Sequence, residues 1–512
     1  MSKIAKTTIL LMVVTLISKV LGFARELVLA SAYGTKFFAD AYLIALNIPN
    51  VMCAIIGTAL ATTYIPLYYE VSKEKGEKEA VKFTNNVANI VLIVCIILTV
   101  LGLIFCKEVV KIFALGFEGE IFDLTVMFTR IMMCGIIFLG LSYLMTSYLQ
   151  VKDNFTIPGL ISIPYNLIII SSILISVNAS PKIIAYGTLI AIISQFLFQL
   201  PFAKKRGYKY SLYINVKDDY IKKMIILLGP ILIGVAVNQI NTLVDKTVAS
   251  TLVEGSVSSL NYAYKLNSFI MSIFIVSITS VIYPKLAKLS ADKEKTEFNN
   301  IIISSINVVS LLIIPITIGA IVLAEPIVSL LFKRGAFDEH AVKMTAVSLI
   351  FYSIGMIGFA LRDVLSRVFY AIQDTKTPMI NATIAVILNI ILNIVLAKYM
   401  SYAGLALATS VSAIISIILL FIALGKKVGD FGQKKIIEVF IKSTIASVIM
   451  GIFAFTGYNS IIKILGSGTI NNLIGIMLSV TLGIIVYSVA VIFLKIDEVK
   501  FVIDTIKIKI KK

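Results

Sequence analysis

The chain has 512 residues, of which 59% are hydrophobic and only 14% charged, with a mean hydropathy of +0.98. Soluble domains carry about 25% charged residues, so a water-facing globular surface is excluded. The net charge of +18 does not mark a nucleic-acid partner, because the Lys residues sit in short loops beside apolar runs, where they act as the orientation signal of a membrane protein.

In chain order, apolar runs long enough to cross about 30 Å of hydrocarbon as helices are expected at 8–33, 37–68, 84–106, 122–150, 155–178, 183–203, 224–252, 257–284, 299–323, 341–372, 378–398, 402–425, 438–458 and 470–494. Lys3 and Lys6 before the run from Ile9 resemble the start of a signal peptide, but no small-residue cleavage site follows. The segment is read as an uncleaved first span. The predicted fold class is therefore an all-α integral membrane protein of about fourteen transmembrane helices.

With the N-terminus inside, the segments 70–83, 204–223, 285–297, 426–435 and 495–512 face the cytoplasm and hold four, seven, four, four and six Lys or Arg. The predicted outer loops hold fewer than ten. This asymmetry puts both termini in the cytoplasm of a bacterial plasma (inner) membrane.

Spans 1–6 and 7–12 look alike. Glu26, Ala30 and Ser31 align with Asp245, Ala249 and Ser250, and across a two-residue gap Gly34 aligns with Gly255 and Asp40 with Asn261. An even number of spans per half makes the repeats parallel, related by an axis along the membrane normal. The expected organisation is an N-lobe at 1–203, a cytoplasmic inter-lobe loop at 204–223, a C-lobe at 224–437, and two further helices with a basic tail at 438–512.

The four cysteines, Cys53, Cys95, Cys106 and Cys134, form no CxxC pair, and the single His340 has no histidine neighbours. Neither a zinc site nor a disulfide framework is indicated. No catalytic residues are expected. An enzyme acting on a membrane lipid needs an acid/base pair in a sizeable outer loop, and the loops carrying Glu118, Glu120, Asp338 and His340 are short.

Ionisable residues inside the spans cost at least about 2.5–3.5 kcal/mol each. Lys19, Arg25 and Glu26 lie within the first span, Asp40 at the outer end of the second, and Arg130, Asp245, Lys246, Lys265, Arg362, Asp363 and Arg367 in later ones. Unless they are paired, such a set implies a hydrated, cationic cavity. Lys19 and Glu26 share a helical face, and Gly22 between Lys19 and Arg25 permits a bend. Asn389 and Asn393 are i,i+4 neighbours, with Thr409 in the next span. With Asp245 they offer oxygen ligands suited to a hard monovalent cation. The alternative is that the Asn residues are interhelical hydrogen-bonding groups.

Ser18–Glu26 (SKVLGFARE), Gly34, Ala39–Tyr42 (ADAY), Ile48–Asn50 (IPN), Asn261–Leu266 (NYAYKL), Leu331–Phe337 (LFKRGAF), Phe369–Pro378 (FYAIQDTKTP) and Gly404–Thr409 (GLALAT) together carry a family resemblance. The sequence resembles the MurJ (MviN) lipid II flippases of the multidrug/oligosaccharidyl-lipid/polysaccharide exporter superfamily, in order from about residue 8 to 425. The resemblance implies two six-helix lobes in a pseudo-two-fold V shape around a central cationic cavity. It implies movement of lipid II, undecaprenyl-pyrophosphate carrying a disaccharide-pentapeptide, from the inner to the outer leaflet in peptidoglycan biosynthesis.

By the same resemblance, Arg25, Lys19 and Lys265 hold the pyrophosphate and Asp40 matches an acidic position in the second span; Glu26 stands with them among the candidate substrate-binding residues. Spans 13 and 14 form a groove for the prenyl tail. A sodium site maps onto Asp245, Asn389, Asn393, Thr409 and the Leu405 carbonyl, with Na⁺ as coupling ion and no other cofactor.

The chain departs from the family pattern at Lys19 and Lys265, where Arg is usual, at Cys53, where a basic residue is common, and at Asn393, where the sodium site often has Asp. These departures leave room for a flippase of another lipid-linked oligosaccharide. A cation-coupled drug exporter would want an acidic cavity, whereas this one is net basic. Expected partners are the lipid substrate, membrane lipids and the cell-wall synthesis machinery, with no nucleic acid.

Overall fold

The computed structural model describes residues 3–291, 294–466, 468–496 and 498. Among these the chain is helical without strands. In the first half, α1 (Lys3–Tyr33), α2 (Phe37–Ala59), a π-turn (Leu60–Tyr64) and α3 (Ile65–Lys75) are followed by α4 (Glu77–Ile104) and the short α5 (Cys106–Phe113). Then come α6 (Gly119–Met133), α7 (Ile136–Val151), α8 (Thr156–Leu160), α9 (Ser162–Asn178), α10 (Lys182–Lys205) and α11 (Asp219–Ser250).

The second half holds α12 (Ser256–Ala291), α13 (Lys295–Val322), the short α14 (Ala324–Phe332), α15 (Glu339–Ile354), α16 (Met356–Ala371), α17 (Lys376–Val428), α18 (Gln433–Leu465) and α19 (Thr469–Phe493). Every expected span falls on helix. Judged by length and composition, nine helices among the described residues can cross a membrane, or eleven if two bent pairs each count as one span. One of the nine, α17, contains both spans expected at 378–398 and 402–425, joined at Ser401, whose φ of 51° and ψ of −135° break the helical path.

The residue distribution is that of a chain dissolved in lipid. Along α4 the large residues Ile93, Ile96, Ile97, Val100 and Ile104 are exposed, while Asn85, Asn86, Asn89 and Thr99 are buried. Lipid tails are as apolar as Leu, so burying apolar groups between helices gains little, and small or hydrogen-bonding residues hold the bundle instead. Gln199 of α10 shows how: its amide donates to the Ser142 hydroxyl at 2.9 Å and its carbonyl accepts from Thr146 at 2.9 Å.

The chain folds as two compact units, Met1–Ser258 with Arg334–Phe337, and Ser259–Lys333 with Asp338–Lys512. This division does not follow the boundary expected at 204–223. The helix α11 packs with the first unit, where Thr247 donates to the Ile112 carbonyl at 2.7 Å and Lys223 pairs with Glu70 at 2.6 Å. The loop ahead of α11 is pinned to α4 by amides that imitate backbone. Asn86 donates to the Asn215 carbonyl at 2.9 Å and accepts from its N–H at 2.8 Å, and Asn89 donates to the Tyr213 carbonyl at 3.0 Å.

The internal repeat recurs in local geometry. Each half has a left-handed glycine after its first span, Gly34 (φ 59°) and Gly255 (φ 85°). Each has a short helix after its third span, α5 and α14. Each breaks its fourth at a glycine, Gly135 and Gly355, and ends that span on a left-handed non-glycine residue, Asp153 (φ 55°) and Gln373 (φ 60°).

Just after the second of these turns, Asp374 accepts from the Thr377 N–H at 3.0 Å and pairs with Lys427. Burial pushes its carboxyl up, but Lys427 and Thr377 outweigh that and hold it at about 2. The unfolded value is about 3.9. The contribution of this pair is therefore fully present above about pH 4 and is lost as pH falls towards 2. We expect Asp374→Asn to lower the melting temperature at pH 7 and to make little difference at pH 2, measured by thermal unfolding in detergent.

Candidate functional site in the first span

Helix α1 brings the first candidate residues together. Arg25 Nη2 donates to Glu26 Oε1 at 2.7 Å, and the two side chains are 14% and 3% exposed. The guanidinium also lies over the Tyr165 ring of α9, 5.7 Å from its centroid. Sequence neighbours do not face each other on a helix, so the long Arg25 side chain must turn sideways to reach Glu26. The helical spacing suggested Lys19 as a partner for Glu26; the structure pairs Glu26 with Arg25 instead.

An arginine carries five N–H donors in a fixed fork. Glu26 fixes the guanidinium and Tyr165 covers one face. The partly exposed remainder offers donors matched to a phosphate. Lys19 stands six residues earlier, about 9 Å along the helix axis. It is partly exposed and has no ion pair among the described residues. Tyr165 was missed from sequence, where a lone tyrosine in an apolar run reads as packing.

Asp40 is engaged elsewhere. It is 2% exposed, and its two oxygens accept from the Gly255 N–H at 2.8 Å and the Ser258 N–H at 2.7 Å. Both donors belong to a turn entering a helix, where backbone N–H groups lack intrahelical acceptors. Its geometry is that of a cap supplied from a distant helix, which differs from the substrate contact expected from the resemblance. Asp40→Ala should cost about 2–6 kcal/mol, because two buried donors lose their acceptor at about 1–3 kcal/mol each. Asp40→Asn should cost less. Melting temperatures of the purified variants check this. A variant that melts normally yet binds substrate poorly would restore the substrate-contact role.

Cys53 is fully buried, with its thiol 3.8 Å from the Ile136 carbonyl, so the position where a cation is common faces helix packing. Asp245, in the first unit, accepts from Asn241 at 3.3 Å. Lys265, in the second unit, is exposed and has no ion pair among the described residues.

The neutral set in α17 is joined by hydrogen bonds. Asn393 donates to Asn389 at 3.1 Å, Asn389 to Thr409 at 3.4 Å, and Thr409 to the Leu405 carbonyl at 3.0 Å. The Asn389, Thr409 and Leu405 oxygens already accept protein donors, and the four groups carry no charge. By themselves they fit the interhelical hydrogen-bonding reading better than a cation site. No cluster of three or more His, Cys, Asp or Glu suited to a metal occurs among the described residues.

A bundle that is all-helical among the described residues, with a lipid-facing apolar surface, an internal repeat and a partly exposed, tyrosine-backed arginine in its first span, defines a polytopic membrane transporter. Its fold is that of solved transporters. It matches an inward-facing multidrug resistance MATE family transporter of the MOP superfamily with a TM-score of 0.69 at 12% identity, covering 83% of this chain and 99% of that one. It matches a structure of lipid II flippase MurJ in an inward closed conformation with a TM-score of 0.82 at 28% identity, covering 95% and 99%.

Among curated relatives, a probable lipid II flippase MurJ of Buchnera aphidicola is 30% identical over 466 residues, 90% of this chain and 91% of that one. A second, of Vibrio cholerae, is 31% identical over 433 residues, 82% of each chain. Residues 29–493 match the family described as lipid II flippase MurJ. The chain belongs to the MurJ family of lipid II flippases, and is a transporter rather than an enzyme.

Proposed function

We propose that this chain translocates lipid II, the undecaprenyl-pyrophosphate-linked peptidoglycan precursor, from the inner to the outer leaflet of the bacterial plasma membrane, with both termini in the cytoplasm. The carrying observation is the match to the MurJ family over residues 29–493. The Arg25–Glu26 site on α1 supports it with the right chemistry. A pyrophosphate carries two or more negative charges and does not cross hydrocarbon unaided, so the protein must supply cations along the path.

In this reading Arg25 holds the pyrophosphate, with Lys19 and Lys265 as further cations, while Glu26 and Tyr165 fix the Arg25 side chain. Alternating access moves one lobe against the other, and the prenyl tail stays in lipid beside α18 and α19. Headgroup charge neutralising these cations is the event that would favour closure. A coupling Na⁺ belongs to the same proposal, with Asp245 as the one carboxylate among its candidate ligands. Association with other cell-wall enzymes belongs to the same proposal.

The test is complementation in a bacterium whose own lipid II flippase can be switched off, reading how much newly made lipid II becomes accessible on the outer face. Restored accessibility supports the reading. A well-inserted protein that leaves lipid II inside would overturn it and point to another lipid-linked oligosaccharide, with Lys19, Cys53 and Lys265 the first positions to exchange.

A further inference from the structure

The second unit contains a polar cleft that the site above does not use. It lies among α12, α15 and α16, with a volume of about 280 Å³, and its walls include Tyr264, Asn267, Tyr352, Phe359, Arg362 and Asp363. Three features set it apart from ordinary helix packing.

Asn267 is only 6% exposed, yet its side-chain Nδ2 has no hydrogen-bond partner. An amide donor removed from water without an acceptor is a cost the fold accepts without return. Within a membrane bundle a neighbouring helix ordinarily supplies the acceptor.

Arg362 lies with its guanidinium over the Phe359 ring, 5.3 Å from the centroid. Neither it nor Asp363 has an ion-pair partner among the described residues. An unpaired arginine and an unpaired aspartate at membrane depth are a functional signal by default. Opposite, Tyr264 and Tyr352 stand edge to face, 5.8 Å apart, and Tyr264 is 49% exposed.

The chemistry selects among the parts of a glycolipid. Two charged and several polar groups are wrong for a prenyl tail. A carboxylate beside the single arginine disfavours a pyrophosphate, which wants cations alone. Tyrosine faces, a buried amide donor, one guanidinium and one carboxylate suit a group built of sugar rings, amides and carboxylates. The volume falls just below the about 300–1,000 Å³ of sites that hold a drug-sized ligand. It fits one sugar ring or a short stretch of peptide rather than a whole headgroup.

We propose that this cleft is a second substrate subsite, which takes part of the sugar–peptide portion of the headgroup. Asn267 donates to an amide carbonyl, Arg362 to a carboxylate, and Tyr264 and Tyr352 pack against the ring or the peptide. The proposal rests on the reading of the chain as a lipid II flippase. It assigns to Asn267 of α12 and Arg362 of α16 the recognition of what the lipid carries, and leaves the phosphates to Arg25, Lys19 and Lys265.

The experiment compares two probes on the purified full chain in lipid nanodiscs: lipid II, and undecaprenyl pyrophosphate, which has the same tail and phosphates but no sugar–peptide. The variants are Asn267→Leu and Arg362→Gln. Asn267→Leu replaces an unpartnered amide with an apolar group of similar size, so it should melt at or above the wild-type temperature, and weaker binding cannot then be put down to misfolding. Each variant should bind lipid II about tenfold more weakly, the loss of a hydrogen bond to a buried or charged group, and bind undecaprenyl pyrophosphate within about twofold of wild type. Equal weakening for both probes, or no weakening for lipid II, overturns the subsite. If wild type binds neither probe, the lipid II reading itself fails, and the subsite with it.

Discussion

Arg25→Ala should reduce lipid II translocation by at least about tenfold, and it should also destabilise the fold. The two effects have different causes and can be separated. Hydrogen bonds to a charged group contribute about 1.5–3 kcal/mol, and every 1.4 kcal/mol is tenfold, so losing the guanidinium predicts a loss of about 10- to 150-fold in transport. The stability effect comes from Glu26, which is 3% exposed and bonded to Arg25 at 2.7 Å. Removing Arg25 takes a charge-assisted hydrogen bond from that buried carboxylate, at about 1.5–3 kcal/mol.

The double variant Arg25→Ala with Glu26→Gln removes both charges and should recover most of the melting temperature without recovering transport. Arg25→Lys should fall between, because it keeps the charge and loses the fork. If the double variant transports lipid II at the wild-type rate, Arg25 serves only to neutralise Glu26, and the pyrophosphate must be held elsewhere.

Gly335→Ala is expected to be among the most destabilising single substitutions in the chain. Gly335 has a φ of +57°, and a Cβ built there would sit 2.3 Å from the Ser31 carbonyl oxygen. That oxygen cannot retreat freely, since it accepts from the Ala336 N–H at 2.8 Å. The left-handed conformation costs an L-residue about 1–2 kcal/mol, and overpacking against fixed atoms about 1–3 kcal/mol more. A loss of about 2–5 kcal/mol should appear as a lower melting temperature and poor recovery of folded protein. Gly34→Ala should behave alike, with its φ of +59° and a Cβ position 2.4 Å from the Ala336 oxygen. Gly319→Ala is the control, because no atom lies within 4 Å of its Cβ position. A normal melting temperature for Gly335→Ala would mean that the segment Arg334–Phe337 does not seat on Ser31 as described.

This seat explains why the run Leu331–Phe337 stood out as specific in the sequence. Its glycine is required by close backbone approach and its Phe337 is buried. Nothing in the run itself says which backbone it meets, some three hundred positions away.

The spans were legible because hydrocarbon imposes one rule on every helix: a long apolar run with its backbone hydrogen bonds satisfied internally. The repeat was legible because aligned glycines and acids recur in both halves, and the structure adds paired breaks at Gly135 and Gly355. Arg25 was legible because a charge inside an apolar run is costly wherever it falls. These properties are local, and the sequence by itself determined them.

What only the tertiary structure decided concerns partners. Helical spacing offers Lys19 to Glu26 and not its neighbour Arg25, yet the long Arg25 side chain turns sideways to reach it. Asp40 looked like a ligand-binding carboxylate, yet its oxygens accept from the backbone of Gly255 and Ser258. Every residue but proline carries an N–H, so residue types give no sign of which two will converge on a carboxylate. Asn267 reads in sequence like any asparagine of an apolar helix. Its unpartnered amide beside Arg362 and two tyrosines exists only once α12, α15 and α16 are packed together. The general reason is range: hydropathy and spacing act along one helix, whereas the partners of a buried polar group are chosen by which helices meet.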